Sequence, residues 1–336
     1  MRLTIVVAAG AIVATVAGIG YLAYARDMSA AYERVTTGSR IAQTGCGPIE
    51  YAVAGTGPPV LIVHGAGGGF DQGTEFGMPL VGHGFRVIAM SRFGYLRTPL
   101  PADASAGAQA DAHACLLDAL GIERVAIVAA SAGAPSSMQF ALRHPQRITA
   151  LVLMVPAAYV PRPANAPPMV TPPFTRFLFD TALRSDFLFW AATRLARPAL
   201  IESILATPAG VVDNASEREQ ERVQQLLNHI LPISPRRIGL VNDAAVTSTL
   251  PRYELERITA PTLAISFEDD RFGTYDSARY TALHIEGARF VGYPSGGHVW
   301  VGHRRDVEGE IARFLHQPPN GKRKSQSLDA DVLDRR

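Results

Sequence analysis

The sequence predicts an α/β fold: a mostly parallel central sheet flanked by helices, interrupted by an inserted helical cap and preceded by an N-terminal transmembrane helix. Three observations carry that prediction. Short apolar runs alternate with helical stretches, a proline-rich and then helical segment breaks the alternation after residue 155, and the amino terminus opens on an uncharged apolar segment. The 336 residues, 47% hydrophobic and 18% charged, suffice to bury a full core. A formal net charge of +2, from 32 basic and 30 acidic residues, creates no field that would gather a polyanion, so no nucleic-acid partner is expected.

From Leu3 to Tyr24 no side chain is charged, and about 20 apolar residues at 1.5 Å rise span a bilayer core. Residues 1–26 are therefore expected to be a membrane anchor or signal segment, with Ala23-Tyr24-Ala25 offering the small residues that a signal peptidase would need for a secreted form. Arg2 precedes the span, while Arg26 and Asp27 nearly cancel after it, which orients the body of the chain outside the cytoplasm. Residues 27–48 read as a polar linker.

The sheet is expected from residues 49–156 and 251–316. Ile49 to Ala54 and Pro59 to Val63 read as strands joined like a hairpin by Gly55-Thr56-Gly57-Pro58. Phe85 to Met90, Val125 to Ala130, Ala150 to Val155 and Thr262 to Ser266 are near-continuously apolar, as parallel strands buried on both faces require. Ala108 to Leu120, ending at Gly121, and Ala134 to Arg143 read as helices between them. Residues 157–250 form the expected cap. Its aromatic group includes Phe174, Phe177, Phe179, Phe187, Phe189 and Trp190, of which Phe177 and Trp190 are expected to face substrate, and Val223, Leu226, Leu227 and Ile230 form one apolar helix stripe. Residues 317–336 read as a disordered tail. Cys46 and Cys115 lack any metal or redox spacing and read as free thiols, a bridge between them being permitted only by an oxidising compartment.

The chemistry concentrates where strands end. In Val125 to Gly133 an apolar strand runs into Ala129-Ala130-Ser131-Ala132-Gly133 and a helix begins at once. Small neighbours suit a serine placed in a sharp strand-to-helix turn, where its Oγ must project above the sheet. The bland alternative is a helix N-cap. A serine hydroxyl needs a base, and imidazole has the right pKa. His298, in the glycine-rich Pro294-Ser295-Gly296-Gly297-His298-Val299-Trp300, fits better than His303, which comes at the approach to a helix.

An acid must orient that imidazole. Ile265-Ser266-Phe267-Glu268-Asp269-Asp270 supplies one: counting from Pro261 favours Asp270, with Asp269 second and Glu268 third. Donors for a developing oxyanion are expected in His64-Gly65-Ala66-Gly67-Gly68-Gly69. We assign one backbone N–H to Ala66 and the other to Ala132, with Gly67 as the fallback, and expect Gly65 and Gly67 to line the substrate. This glycine run lacks a following Lys-Ser/Thr and is not GxGxxG, so nucleotide binding is not expected.

These segments in this order resemble the α/β-hydrolase superfamily: an HG loop, a serine elbow, a late acid and a terminal GGH histidine, from about Ile49 to Leu315. Ser91-Arg92-Phe93-Gly94-Tyr95 resembles that family's Asp-Arg-x-Gly loop, with serine for the aspartate. Ala129 stands where the elbow's first glycine would be, and Phe267 where a glycine often precedes the acid. The resemblance implies an α/β-hydrolase fold and a serine hydrolase with the triad Ser131, Asp270 and His298, needing neither metal nor cofactor. A serine at the elbow disfavours epoxide hydrolases and haloalkane dehalogenases, which use aspartate there. Hydrolysis of a hydrophobic carboxylic ester, thioester or lactone is the first expectation. An acyltransferase, a carbon-carbon bond hydrolase and a noncatalytic ligand-binding protein are the competing ones.

Overall fold

The computed structural model describes residues 2–161 and 181–316. Its strands are β1 (Arg40–Thr44), β2 (Gly47–Ala54), β3 (Pro59–Val63), β4 (Arg86–Met90), β5 (Val125–Ala130), β6 (Ile148–Met154), β7 (Thr262–Phe267) and β8 (Arg289–Tyr293). They form one sheet in the order β1-β2-β4-β3-β5-β6-β7-β8. From β4 to β8 every pairing is parallel, while β1 to β2 and β2 to β4 are antiparallel. The expected hairpin between residues 49–54 and 59–63 is therefore corrected. β2 pairs with β4, and β3 lies beyond β4. The true hairpin joins β1 to β2, with Ala42 opposite Ile49.

The apolar runs form interior strands because both faces of the sheet are covered. Along β5, Val125, Ile127 and Ala129 pack on one side with helices α3 (Ala106–Ala119) and α4 (Ala134–Arg143), while Ala126 and Val128 pack on the other with α2 (Phe70–Gly82). The two-residue period of a strand thus divides the core into two layers. Each fully buried Val, Leu or Ile contributes about 1.5–3 kcal/mol. Helix α3 starts at Ser105, whose Oγ accepts from Ala108 N at 3.2 Å.

The amino terminus departs from expectation. Helix α1 (Arg2–Thr36) does not end at Arg26 but continues ten residues into the stretch expected as a linker, the remainder of which holds β1 and the start of β2. Among the described residues no helix is long and apolar enough to cross a membrane. The expected membrane-spanning anchor is thus not supported. Beyond Arg26 the helix becomes amphipathic and buries Met28, Ala31 and Val35. Met28 and Ala31 join a cluster with cap residues Leu183, Phe189 and Trp190.

The cap helices described are α5 (Asp186–Leu195), α6 (Arg197–Ser203), α7 (Ala209–Asp213), α8 (Glu217–His229) and α9 (Arg237–Ser248). Of the predicted stripe, Val223, Leu227 and Ile230 are buried in the apolar cluster that the cap shares with α1, while Leu226 is half-buried against it. Phe174, Phe177 and Phe179, and the tail from 317, lie outside the described residues. Helices α10 (Thr274–His284) and α11 (Arg304–His316) complete the two layers.

Cys46 and Cys115 are bonded to each other, correcting the expectation of free thiols. The bridge ties the turn between β1 and β2 to α3 across a sequence separation of 69 residues. Closing a loop of that length stabilises by roughly 4 kcal/mol in the chain-entropy model. Reduction should lower the melting temperature by several degrees in calorimetry, and an unchanged melt would show that the bridge adds nothing.

His113 on α3 is wholly buried, its Nε2 at 3.1 Å from Ser136 Oγ and its Nδ1 at 3.0 Å from Met90 Sδ. Burial, helped by the Arg92 charge, lowers its pKa from 6.5 to about 3. Between those values the unfolded chain binds the proton and the folded chain does not. This contribution is complete above pH 6.5 and is lost as pH falls towards 3. Melts at pH 7.5 and 4.5 should therefore differ less in His113→Gln than in the wild type.

Candidate active site

Ser131 follows β5 directly, in the left-handed region at φ 50°. A non-glycine residue there is strained, and the surroundings enforce it. A Cβ added to Gly133 would stand 2.5 Å from the Val63 carbonyl oxygen, so the elbow tolerates no side chain at that position. Gly65 lies just across the turn, its Cβ position 3.1 Å from Ser131 Cβ.

His298 arrives from the loop after β8. Gly297 takes φ 62° there, and a Cβ on it would lie 2.4 Å from Thr207 of the cap. The imidazole Nδ1 bonds Asp270 Oδ2 at 2.7 Å, and Phe272 meets the ring edge-on at 4.9 Å. Asp270 is buried, and its other oxygen accepts from Phe272 N at 2.9 Å while Thr274 Oγ1 donates to Oδ2. With Nδ1 occupied, Nε2 is the nitrogen left to take a proton. The described hydrogen bonds of His298 do not include Ser131.

The neighbouring acid does something else. Asp269 accepts from Gly297 N at 2.7 Å and from Gly296 N at 3.2 Å, so it shapes the histidine loop while Asp270 holds the ring.

The glycine loop is organised by Arg92. Its Nε donates to the His64 carbonyl at 2.8 Å, an Nη donates to the Gly65 carbonyl at 3.2 Å, and its backbone N–H donates to His64 Nε2 at 3.0 Å. His64 Nδ1 lies 2.7 Å from the Gly65 oxygen. Burial, with the Arg92 charge, pushes the His64 pKa well below its ordinary value. The ring is neutral, and with Nε2 accepting, its proton sits on Nδ1. A trans peptide sets its N–H opposite its carbonyl. Fixing the Gly65 oxygen toward Arg92 therefore turns the N–H of Ala66, an exposed residue, the other way.

The Arg92 guanidinium is balanced by Asp243 on α9, at 2.7 and 2.6 Å. Tyr95 donates to the same carboxylate at 2.5 Å and accepts from Gly67 N at 3.2 Å. Burial and Asp243 push the tyrosine pKa well above its usual value, so the hydroxyl stays protonated. The Gly67 N–H is thus occupied, which removes it as the fallback oxyanion donor. Ala132, second in the short helical turn Ser131–Gly133, has one of the N–H groups that a helix start leaves unpaired.

Ser91 has its own compensation. Its hydroxyl donates to Glu50 Oε2 at 2.9 Å, and that buried carboxylate also binds Arg97 Nε at 2.6 Å. Glu50 carries the charge that an aspartate at position 91 would have brought.

Trp190 does not line this cluster. It is buried, donates from Nε1 to Asp27 at 3.0 Å, and packs against Tyr24 with ring centroids 5.4 Å apart, so it docks α1 onto the cap. Phe177 lies outside the described residues. A cavity of about 140 Å³ lined by Gln72, Phe76, Arg222, Leu226 and Trp300 reaches Gly65 and Ala130 from the α2 side. Sequence reading missed Asp243, Asp71 and Arg236. Asp243 and Arg236 on the cap and Asp71 on α2 belong to no motif, and only the fold shows them buried.

Residues 58–301 match the family model of the alpha/beta hydrolase fold. An uncharacterized hydrolase of Bacillus subtilis is 28% identical over 281 residues, covering 79% of this chain and 93% of that protein. A 2-hydroxy-6-oxononadienedioate/2-hydroxy-6-oxononatrienedioate hydrolase of Paraburkholderia xenovorans is 29% identical over 267 residues, covering 74% of this chain and 84% of that protein. Among solved structures, an alpha/beta hydrolase fold protein of Nakamurella multipartita is similar at TM-score 0.64 and 28% identity, covering 82% of this chain and 98% of that one.

The two acids separate by experiment. Asp270→Asn should slow fluorophosphonate labelling of Ser131 by about a thousandfold or more, through loss of imidazole orientation. Asp269→Asn, which loosens only the loop, should slow it by no more than about tenfold. The reverse ranking would transfer the orienting role to Asp269.

Proposed function

The chain belongs to the α/β hydrolase fold family and is an enzyme of it, and from that premise we propose that it hydrolyses a carboxylic ester of a hydrophobic acid or alcohol through an acyl-enzyme on Ser131. The observation that carries this reading is the His298–Asp270 pair at 2.7 Å, at the same sheet edge as a strained serine beside the glycine loop.

In the proposed reaction His298 Nε2 takes the Ser131 proton as Oγ bonds the acyl carbon. The carbonyl oxygen, now negative, accepts from the N–H groups of Ala66 and Ala132; one such donor is worth about 10²–10³ in rate. Collapse breaks the bond to the leaving alkoxide, which receives the proton from His298. Water then gives a proton to His298 while its oxygen attacks the acyl carbon. The acid leaves, and the proton returns to Ser131. His298⁺ forms beside the buried Asp270 carboxylate, which stabilises it without taking its proton.

A second reading, carbon-carbon bond cleavage, is favoured by the Paraburkholderia relative, whose name is that of a 2-hydroxy-6-oxo dienedioate hydrolase. The extracytoplasmic side is the compartment we propose, supported by the Cys46–Cys115 bridge, since disulfides persist where the medium is oxidising.

Ser131→Ala should cut turnover of p-nitrophenyl butyrate by about a thousandfold or more while leaving the thermal melt in place. Unchanged turnover would reject Ser131 as the nucleophile. A wild type that cleaves a 2-hydroxy-6-oxo dienoate but no ester would select the second reading.

A further inference from the structure

Asp71 lies in the first turn of α2, just beyond the loop that carries the Ala66 N–H. Its side chain is 3% exposed, yet two arginines from outside the sheet layers converge on it. Arg236, wholly buried on the cap side, donates to the two carboxylate oxygens at 2.7 and 3.2 Å and to the Gly68 carbonyl at 2.5 Å. Arg34 reaches in from α1: its Nε donates to Asp71 Oδ2 at 3.2 Å, and an Nη donates to the carbonyls of His229 and Leu231 in the cap. Burial alone would raise the Asp71 pKa, but the two guanidinium groups outweigh it and hold the carboxyl below its ordinary value.

The Gly68 carbonyl and the Gly68 N–H belong to one tight loop, because that N–H donates back to the Gly65 carbonyl at 3.3 Å. Around the next residue there is little slack, since a Cβ on Gly69 would lie 2.8 Å from Asp71 Oδ1 and 2.9 Å from an Arg236 Nη. A shift of Arg236 is therefore felt at Gly68, then at the Gly65–Ala66 peptide. Arg34 joins Asp71 to the cap segment after α8, and so sets where Arg236 can sit.

We propose that Arg34 and Arg236 act through Asp71 as positioning residues for the oxyanion loop, which makes the docked end of α1 a working part of the active site. This rests on the serine-hydrolase reading above. Ground-state binding of an ester asks little of the loop, whereas the negative oxygen asks for an aimed N–H. The cost of losing Arg34 therefore falls on kcat rather than KM.

The test compares the full-length wild type with Arg34→Met, Arg34→Lys and Tyr32→Phe. Tyr32 donates to Asp186 on α5 at 3.1 Å, so its loss loosens α1 without touching Asp71. Well below the melting temperature, Arg34→Met should lower kcat for p-nitrophenyl butyrate by roughly tenfold to a hundredfold with KM within about twofold. Affinity for an alkyl trifluoromethyl ketone, which presents an oxyanion to the loop, should fall in parallel. Arg34→Lys should recover part of both losses, and Tyr32→Phe should change neither. Wild-type kcat and ketone affinity in a folded Arg34→Met would overturn the proposal, as would the same losses in Tyr32→Phe. If Arg34→Met does not fold, Arg34→Gln decides on the same two readouts, and failure of both to fold would mark the role as structural and reject it. A wild type that neither turns over the ester nor labels with a fluorophosphonate would instead sink the underlying reading, which keeps the two failures distinct.

Discussion

The Gly65–Ala66 peptide depends on one buried charge. Arg92 holds the two carbonyls on its side of the glycine loop, and its own charge is tolerated only because Asp243 meets it in a fork at 2.6 and 2.7 Å. Removing one partner of such a pair leaves an uncompensated charge, at a cost of about 3–5 kcal/mol. The pair stabilises the fold little on balance, but it links the cap to the sheet edge at the point where the loop has to be rigid. Tyr95 closes the same network from the other side, taking the Gly67 N–H that would otherwise compete for an incoming oxygen.

Strain accumulates around that network. Ser131 at φ 50° and Trp300 at φ 45° occupy backbone regions that side chains disfavour, and they lie in the segments that carry the proposed nucleophile and the proposed base His298. The parallel strands make this affordable. With Ile127, Val128, Leu151 and Val152 fully buried, the sheet under the elbow has no freedom to relax the turn.

The cap and α1 act as more than a cover. Asp243 and Arg236 come from the cap, Arg34 from α1, and all three end in hydrogen bonds to the glycine loop or to the residues that hold it. A helix that begins apolar and continues amphipathic into the body thus joins the periphery to the site, with Trp190 and Asp27 fastening its middle.

The local features were readable in the residues themselves. Interior strands declare themselves by apolar runs, an elbow by small residues around Ser131, and a flexible histidine loop by Gly296-Gly297, because each depends on short-range sterics or on burial of both strand faces. The same reading mistook residues 27–48 for a linker and Cys46 and Cys115 for free thiols, and it turned Trp190 toward substrate when α1 covers it. It also joined β2 to β3, although β4 comes between β2 and β3. Sequence alone therefore determined the class of fold and the likeness of its motifs to a serine hydrolase. Tertiary structure alone decided that Asp270 and not Asp269 bonds the His298 ring, that the buried Glu50 accepts from Ser91, and that Asp243, Asp71 and Arg236 meet in the buried network around the glycine loop. The reason is physical: a buried ion pair is specified by which distant segments meet, and no local pattern of one chain segment encodes its partner.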